Sequence, residues 1–81
     1  MPPSTEQKIA TAIGAIFEPD TSRRLKGYAS KLVAYAHIGY GRMGLEQRIA
    51  HIQVEKLKQN LDPAACGKLA DCILEVAGNP R

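Results

Sequence analysis

The stretch His37-Ile-Gly-Tyr-Gly-Arg-Met-Gly44 carries three glycines in six residues, Gly39, Gly41 and Gly44, and it parts the two longest amphipathic segments of an 81-residue chain. Glycine reaches backbone angles closed to other residues, so such a density of it reads as a turn. A short connection between two helices makes them antiparallel neighbours. The expected fold is therefore all-α: one domain over residues 1–81, a compact bundle of about four helices built on a central antiparallel helical hairpin.

Before the turn, a helix is expected from about Ser22 to Ile38, with Asp20 or Thr21 as N-cap. At 100° per residue, Leu25, Tyr28, Ala29, Leu32, Val33, Tyr35 and Ala36 share one side. Arg23, Arg24, Lys26, Ser30, Lys31 and His37 share the other, with no acid among them. Arg23 and Arg24 sit where the helix dipole disfavours cations, so the local sequence gives up a little stability there.

After the turn, a helix is expected from Met43 or Gly44 to Leu61. Leu45, Ile49 and Ile52 form one apolar stripe; Val54, Leu57 and Leu61 form another, roughly 120–180° away on a regular helix. A straight helix with those two stripes buries different faces at its two ends. Either its second half packs on the last helix, or Val54, Leu57 and Leu61 form the seam of a homodimer.

The outer helices are written more plainly. Ser4 with Gln7 is a capping-box pattern for a helix from Thr5 to Phe17, whose stripe is Ile9, Ala12, Ile13, Ile16 and Phe17. Pro19 ends it, because the residue before a proline is driven out of α conformation. Asp62-Pro63 is an N-cap followed by proline at the first helical position, the strongest start signal in the chain. Cys66, Leu69, Ala70, Ile73 and Val76 form the stripe of this last helix, with Gly78 and Asn79-Pro80 as its stop.

Composition supports a folded helical domain and narrows the chemistry. Hydrophobic residues make up 44% and charged residues 23%, too little charge for a disordered chain. A domain this small buries only ~60% of its unfolded surface, so its core is marginal. Cys66 and Cys72 fall six residues apart on one helix, ~9 Å along its axis, on different sides. That separation excludes an internal disulfide and predicts reduced thiols. His37, His51, Cys66 and Cys72 show no paired spacing such as CxxC or HxxxH, so no metal and no cofactor are expected. The glycine-rich turn lacks the Gly-Lys-Ser/Thr end of a phosphate loop. A lone anion at the start of the third helix, held by Arg42 and backbone amides, is the ligand that stretch suits. Acids mostly occupy helix ends, and no carboxylate pair is spaced for acid–base work. No catalytic residue is expected.

Met1-Pro-Pro-Ser-Thr-Glu-Gln lacks the basic start of a secretory leader, and no apolar run approaches a membrane span; a cytoplasmic protein without membrane contact is expected. Charge is the most informative feature. Residues 21–60 hold eight Lys/Arg against two acids, a local +6, while the rest holds three basic and six acidic residues, a local −3. A basic hairpin with acidic flanks suits internal complementarity or an anionic partner. The leading expectation is a small non-catalytic protein-binding module (an adaptor, inhibitor or accessory factor) that docks on an acidic protein or self-associates. Its expected contacts are Arg23, Arg24, Lys26, Lys31, Tyr40 and Arg42. The alternative is a DNA- or RNA-binding protein using the same basic face and the hinge through phosphate contacts. The turn is longer and richer in glycine than that of a helix-turn-helix unit.

Overall fold

Ser4 begins the first helix as its side chain dictates. In the computed structural model, which describes residues 2–77, the Ser4 hydroxyl accepts the Gln7 amide at 3.1 Å and the Gln7 side chain accepts the Ser4 amide at 2.8 Å. This capping box opens α1 (Thr5–Ile16) and satisfies donors that a helix end otherwise leaves orphaned. Ile9, Ile13 and Phe17 are buried, and Ala12 and Ile16 pack against them.

Pro19 both stops and starts. It holds Glu18 in extended backbone (φ −64°, ψ 161°) and is itself the first residue of α2 (Pro19–Leu25). The second helix thus begins three residues earlier than its charge pattern suggests, with Glu18 rather than Asp20 or Thr21 at the cap position. It is also broken: Lys26–Tyr28 form a tighter 3₁₀ turn before α3 (Ala29–His37). Gly27 lies in that turn, where its low helix propensity weakens the α ladder. The expected face survives the break, with Leu25, Ala29, Leu32 and Ala36 buried and Tyr28, Val33 and Tyr35 half-buried.

The hairpin turn comes next. Gly39 takes φ +106°, a left-handed angle that requires glycine. The Tyr40 amide returns to the Tyr35 carbonyl at 3.1 Å, and α4 (Arg42–His51) sets out. Leu45 and Ile49 are fully buried.

The third helical rod departs most from expectation. At Ile52–Lys56 it widens into a π turn, in which the Leu57 amide bonds to the Ile52 carbonyl five residues back. A π turn absorbs one extra residue and so rotates the residues beyond it by about 100° relative to an α register. That rotation returns Leu57 to the face of Leu45, Ile49 and Ile52, where it is only 5% exposed. The rod ends at Lys56 rather than Leu61, because Lys58 adopts a left-handed angle (φ +56°) that helices use to stop. Of the expected seam, Leu57 therefore belongs to the core of its own chain, while Val54 (37%) and Leu61 (48%) are exposed.

Asp62 caps α5 (Pro63–Val76) through its carboxylate, which accepts the Ala65 amide at 3.2 Å. Such a cap is worth ~1 kcal/mol. Cys66, Leu69, Ala70 and Ile73 are fully buried. The expected stop at Gly78 and Asn79-Pro80 lies outside the described residues.

The result is an all-α, compact four-helix bundle in which α2 and α3 count as one broken rod. α5 packs on α1 and α4, and α1 also packs on α3, so the core sits among all four rods. Its Cα radius of gyration of 11.5 Å matches the ~12 Å of a compact chain of this length. Among the described residues no helix is long and apolar enough to cross a membrane.

Candidate anion-binding cleft between α3 and α4

Most of the basic residues of the hairpin fall into two groups. One group meets acids or other parts of the fold at its surface. Arg23 pairs with Asp20, and Arg24 lies 3.9 Å from the same carboxylate while donating to the Leu57 carbonyl at 3.1 Å. Arg42 lies 2.8 Å from both Glu46 and Asp71, so it ties α4 to α5. Its pKa is raised, first by the hydrogen bond to Asp71 and then by the charges of Asp71 and Glu46. Lys26 stretches along α1, its Nζ 3.4 Å from where a Cβ on Gly14 would stand.

The other group lines a cleft. Tyr28, Lys31 and Tyr35 face Arg48, His51, Ile52 and Lys56 across a cavity of about 230 Å³. None of these seven residues is acidic, and none of the ion pairs formed among the described residues involves Lys31, Arg48 or Lys56. The helices impose this arrangement. Tyr28, Lys31 and Tyr35 recur at spacings of three and four, on one face. Arg48 and His51 do the same on α4, and the π turn carries Lys56 onward.

Arg48 is the most constrained of these cations. Its guanidinium carbon lies 5.3 Å from the centre of the Tyr35 ring and 5.5 Å from that of Tyr40. One terminal nitrogen donates to the Tyr40 hydroxyl at 3.1 Å. The two rings are themselves in contact, 5.0 Å between centres at a 39° tilt. Tyr40 therefore folds back from the hinge against the bundle, and its ring approaches Gly44, 3.1 Å from where a Cβ would stand.

Of the expected contact residues, Lys31 alone lines the cleft, and Tyr40 reaches it through Arg48. Arg23, Arg24, Lys26 and Arg42 lie elsewhere. Arg48, His51 and Lys56 were not among the expected contacts, nor were Tyr28 and Tyr35. The 28/31/35 spacing signals this face, but the two tyrosines also fit the apolar side of the wheel.

A second, larger cavity of about 590 Å³ lies beside the 57–62 loop, lined by Glu18, Thr21, Gln53, Lys58, Gln59, Asn60, Leu61, Asp62 and Pro63. Its polar groups largely satisfy one another. Thr21 donates to the Gln59 side chain at 2.9 Å, and the buried Gln53 carbonyl accepts the Asp62 amide at 3.0 Å. It carries two carboxylates and one cation, with no net call for a charged ligand.

The two cysteines are free. Burial pushes the Cys66 thiol up to about 11, with Asp62 and Glu46 adding to the effect, and raises Cys72 in the same direction. A protonated buried thiol is a poor nucleophile. Among the described residues no three His, Cys, Asp or Glu side chains converge as a metal site would require. No protein-family model, curated protein or solved structure matches this chain.

Proposed function

We propose that this chain is a small non-catalytic protein-binding module that docks an acidic partner on the α3–α4 cleft. The observation that carries the reading is the convergence of Lys31, Arg48 and Lys56 on one cavity with no carboxylate among its lining residues. Unpaired cations gathered at one place attract and orient an anionic surface. Interfaces also favour Tyr, Arg and Met over Lys and Glu at their centres. Tyr35, Tyr40 and Arg48 form one contact cluster, and the hinge beside Tyr40 presents Ile38 and Met43, 71% and 72% exposed.

Nucleic acid is the second reading, favoured by tyrosines set among cations, the chemistry that stacks bases and tracks phosphates. It is weakened by the pairing of Arg23, Arg24 and Arg42 with acids, which reduces the charge they offer a duplex. Light scattering of the chain at low salt, with poly-glutamate and separately with a short random DNA duplex, tests the choice. A complex with poly-glutamate that dissolves on adding salt is expected. A complex with the duplex alone transfers the cleft to nucleic acid.

A further inference from the structure

We infer that the cleft reads two neighbouring carboxylates on its partner, one gripped by the edge of the Arg48 guanidinium and the other by Lys31 and Lys56. The inference rests on the protein-binding reading and adds the recognised group and the residue that grips it.

Three features lead to it. First, the Tyr35 and Tyr40 rings lie 5.3 and 5.5 Å from the Arg48 guanidinium carbon, and the Tyr40 hydroxyl fixes one terminal nitrogen. The remaining N–H donors lie in the guanidinium plane, the geometry in which arginine meets a carboxylate in two parallel hydrogen bonds. A side chain held this way loses little freedom when its ligand arrives. Secondly, a single carboxylate leaves two of the three cations unanswered, whereas two adjacent acids bring the cleft near balance. Thirdly, the volume of about 230 Å³ falls below the ~300 Å³ at which pockets begin to take whole small molecules. It suits the ends of side chains rather than a nucleotide. Tyr35 already has Arg48 and Tyr40 against it, which leaves less of its ring to a stacking base.

Tyr40 acts here as a positioning residue. It holds Arg48 from the hinge, so the turn that shapes the hairpin also orients the cleft's anchor.

The test uses the intact chain and labelled Gly-Ser peptides bearing one glutamate, a Glu-Glu pair or one phosphoserine, with an oligothymidine strand of similar length. Binding is read by fluorescence anisotropy at low salt. The Glu-Glu peptide is expected to bind at least about tenfold tighter than the single-glutamate peptide. Arg48→Lys, which keeps the charge and loses the fork, is expected to remove most of that preference. Tyr40→Phe, which keeps the ring and loses the hydroxyl, is expected to weaken Glu-Glu binding a few-fold without changing its salt dependence. Lys31→Ala and Lys56→Ala are expected to weaken binding and flatten its salt dependence, and Lys68→Ala, outside the cleft, to do neither. If Arg48→Lys keeps the full preference, the Arg48 assignment fails while an acidic partner stands. Tighter binding of phosphoserine overturns the carboxylate pair. Binding of oligothymidine without any peptide overturns both this inference and the protein-binding reading.

Discussion

Arg42 lies across Gly67, one of its guanidinium nitrogens 2.7 Å from the point a Cβ on that glycine would occupy. The glycine makes room for a crossing that Glu46 and Asp71 then hold. Gly67→Ala therefore sets two modest effects against each other. Alanine improves the helix by up to about 1 kcal/mol. Displacing Arg42 loosens exposed ion pairs, which solvent screens and which contribute little. The net change in urea-unfolding free energy is expected to stay within about 1 kcal/mol. The diagnostic is a double-mutant cycle: Asp71→Asn lowers stability slightly in the parent and not at all in the Gly67→Ala background.

Val54 and Leu57 separate a core from a surface. Leu57→Ala removes a buried side chain and is expected to cost about 2–5 kcal/mol, and Leu57→Asp to unfold the chain. Val54→Asp sits at an exposed position and is expected to change stability by no more than about 0.5 kcal/mol. Circular dichroism melts measure both. Light scattering of Val54→Asp shows in the same sample whether copies of the chain meet there: a mass lower than that of the parent means that they do.

Gln53 is a buried amide with a defined task. Its side-chain carbonyl accepts the Asp62 amide and the Cys66 thiol, and its backbone carbonyl accepts the Gln59 amide. Gln53→Leu keeps the bulk and leaves the Asp62 amide without that acceptor, an expected cost of about 1–3 kcal/mol. Hydrogen exchange at Asp62 is expected to quicken more than at the centre of α5.

Cys66 links stability to alkaline pH. Its folded pKa is raised to about 11 from an ordinary 9.0, so the folded chain keeps a proton that the unfolded chain gives up. The resulting stabilisation is fully present below pH 9.0 and is lost as pH rises toward about 11. Cys66→Ala, although it carries its own cavity cost, is expected to show a shallower decline over that window in parallel denaturation curves. At pH 8 the native Cys66 is expected to resist iodoacetamide until denaturant is added.

Much of this fold is legible in the chain itself. Ser4 with Gln7, Gly39 and Asp62-Pro63 are local signals whose chemistry needs no tertiary partner, and each does in the structure what its neighbours in sequence imply, whereas Pro19 ends α1 as expected but also starts α2. The π turn was not legible. Two stripes at different angles on a helical wheel describe a regular helix with two partners equally well as an irregular helix with one. Only the packing of Leu57 against the core decides between them. The site was legible in sign more than in place. A basic central segment raises the expectation of an anionic partner, but Asp20 pairs with Arg23 and Arg24 and Glu46 with Arg42 at helical spacings of three and four, and Asp71 reaches Arg42 from another helix. Lys31 was visible; its companions Arg48 and Lys56 required the hairpin to close.

The packing of α1 on α5 has a consequence for the growing chain. Ile9 and Ile13 are wholly buried, yet α5, one of the helices that covers α1, is made only after α2, α3 and α4. Between Ile16 and Pro63 lie 46 residues, on the order of 2–9 s of synthesis at ~5–20 residues per second. Throughout that interval a finished amphipathic helix waits without part of its cover. A nascent chain stalled before Pro63 is therefore the form of this protein most exposed to chaperones and to aggregation.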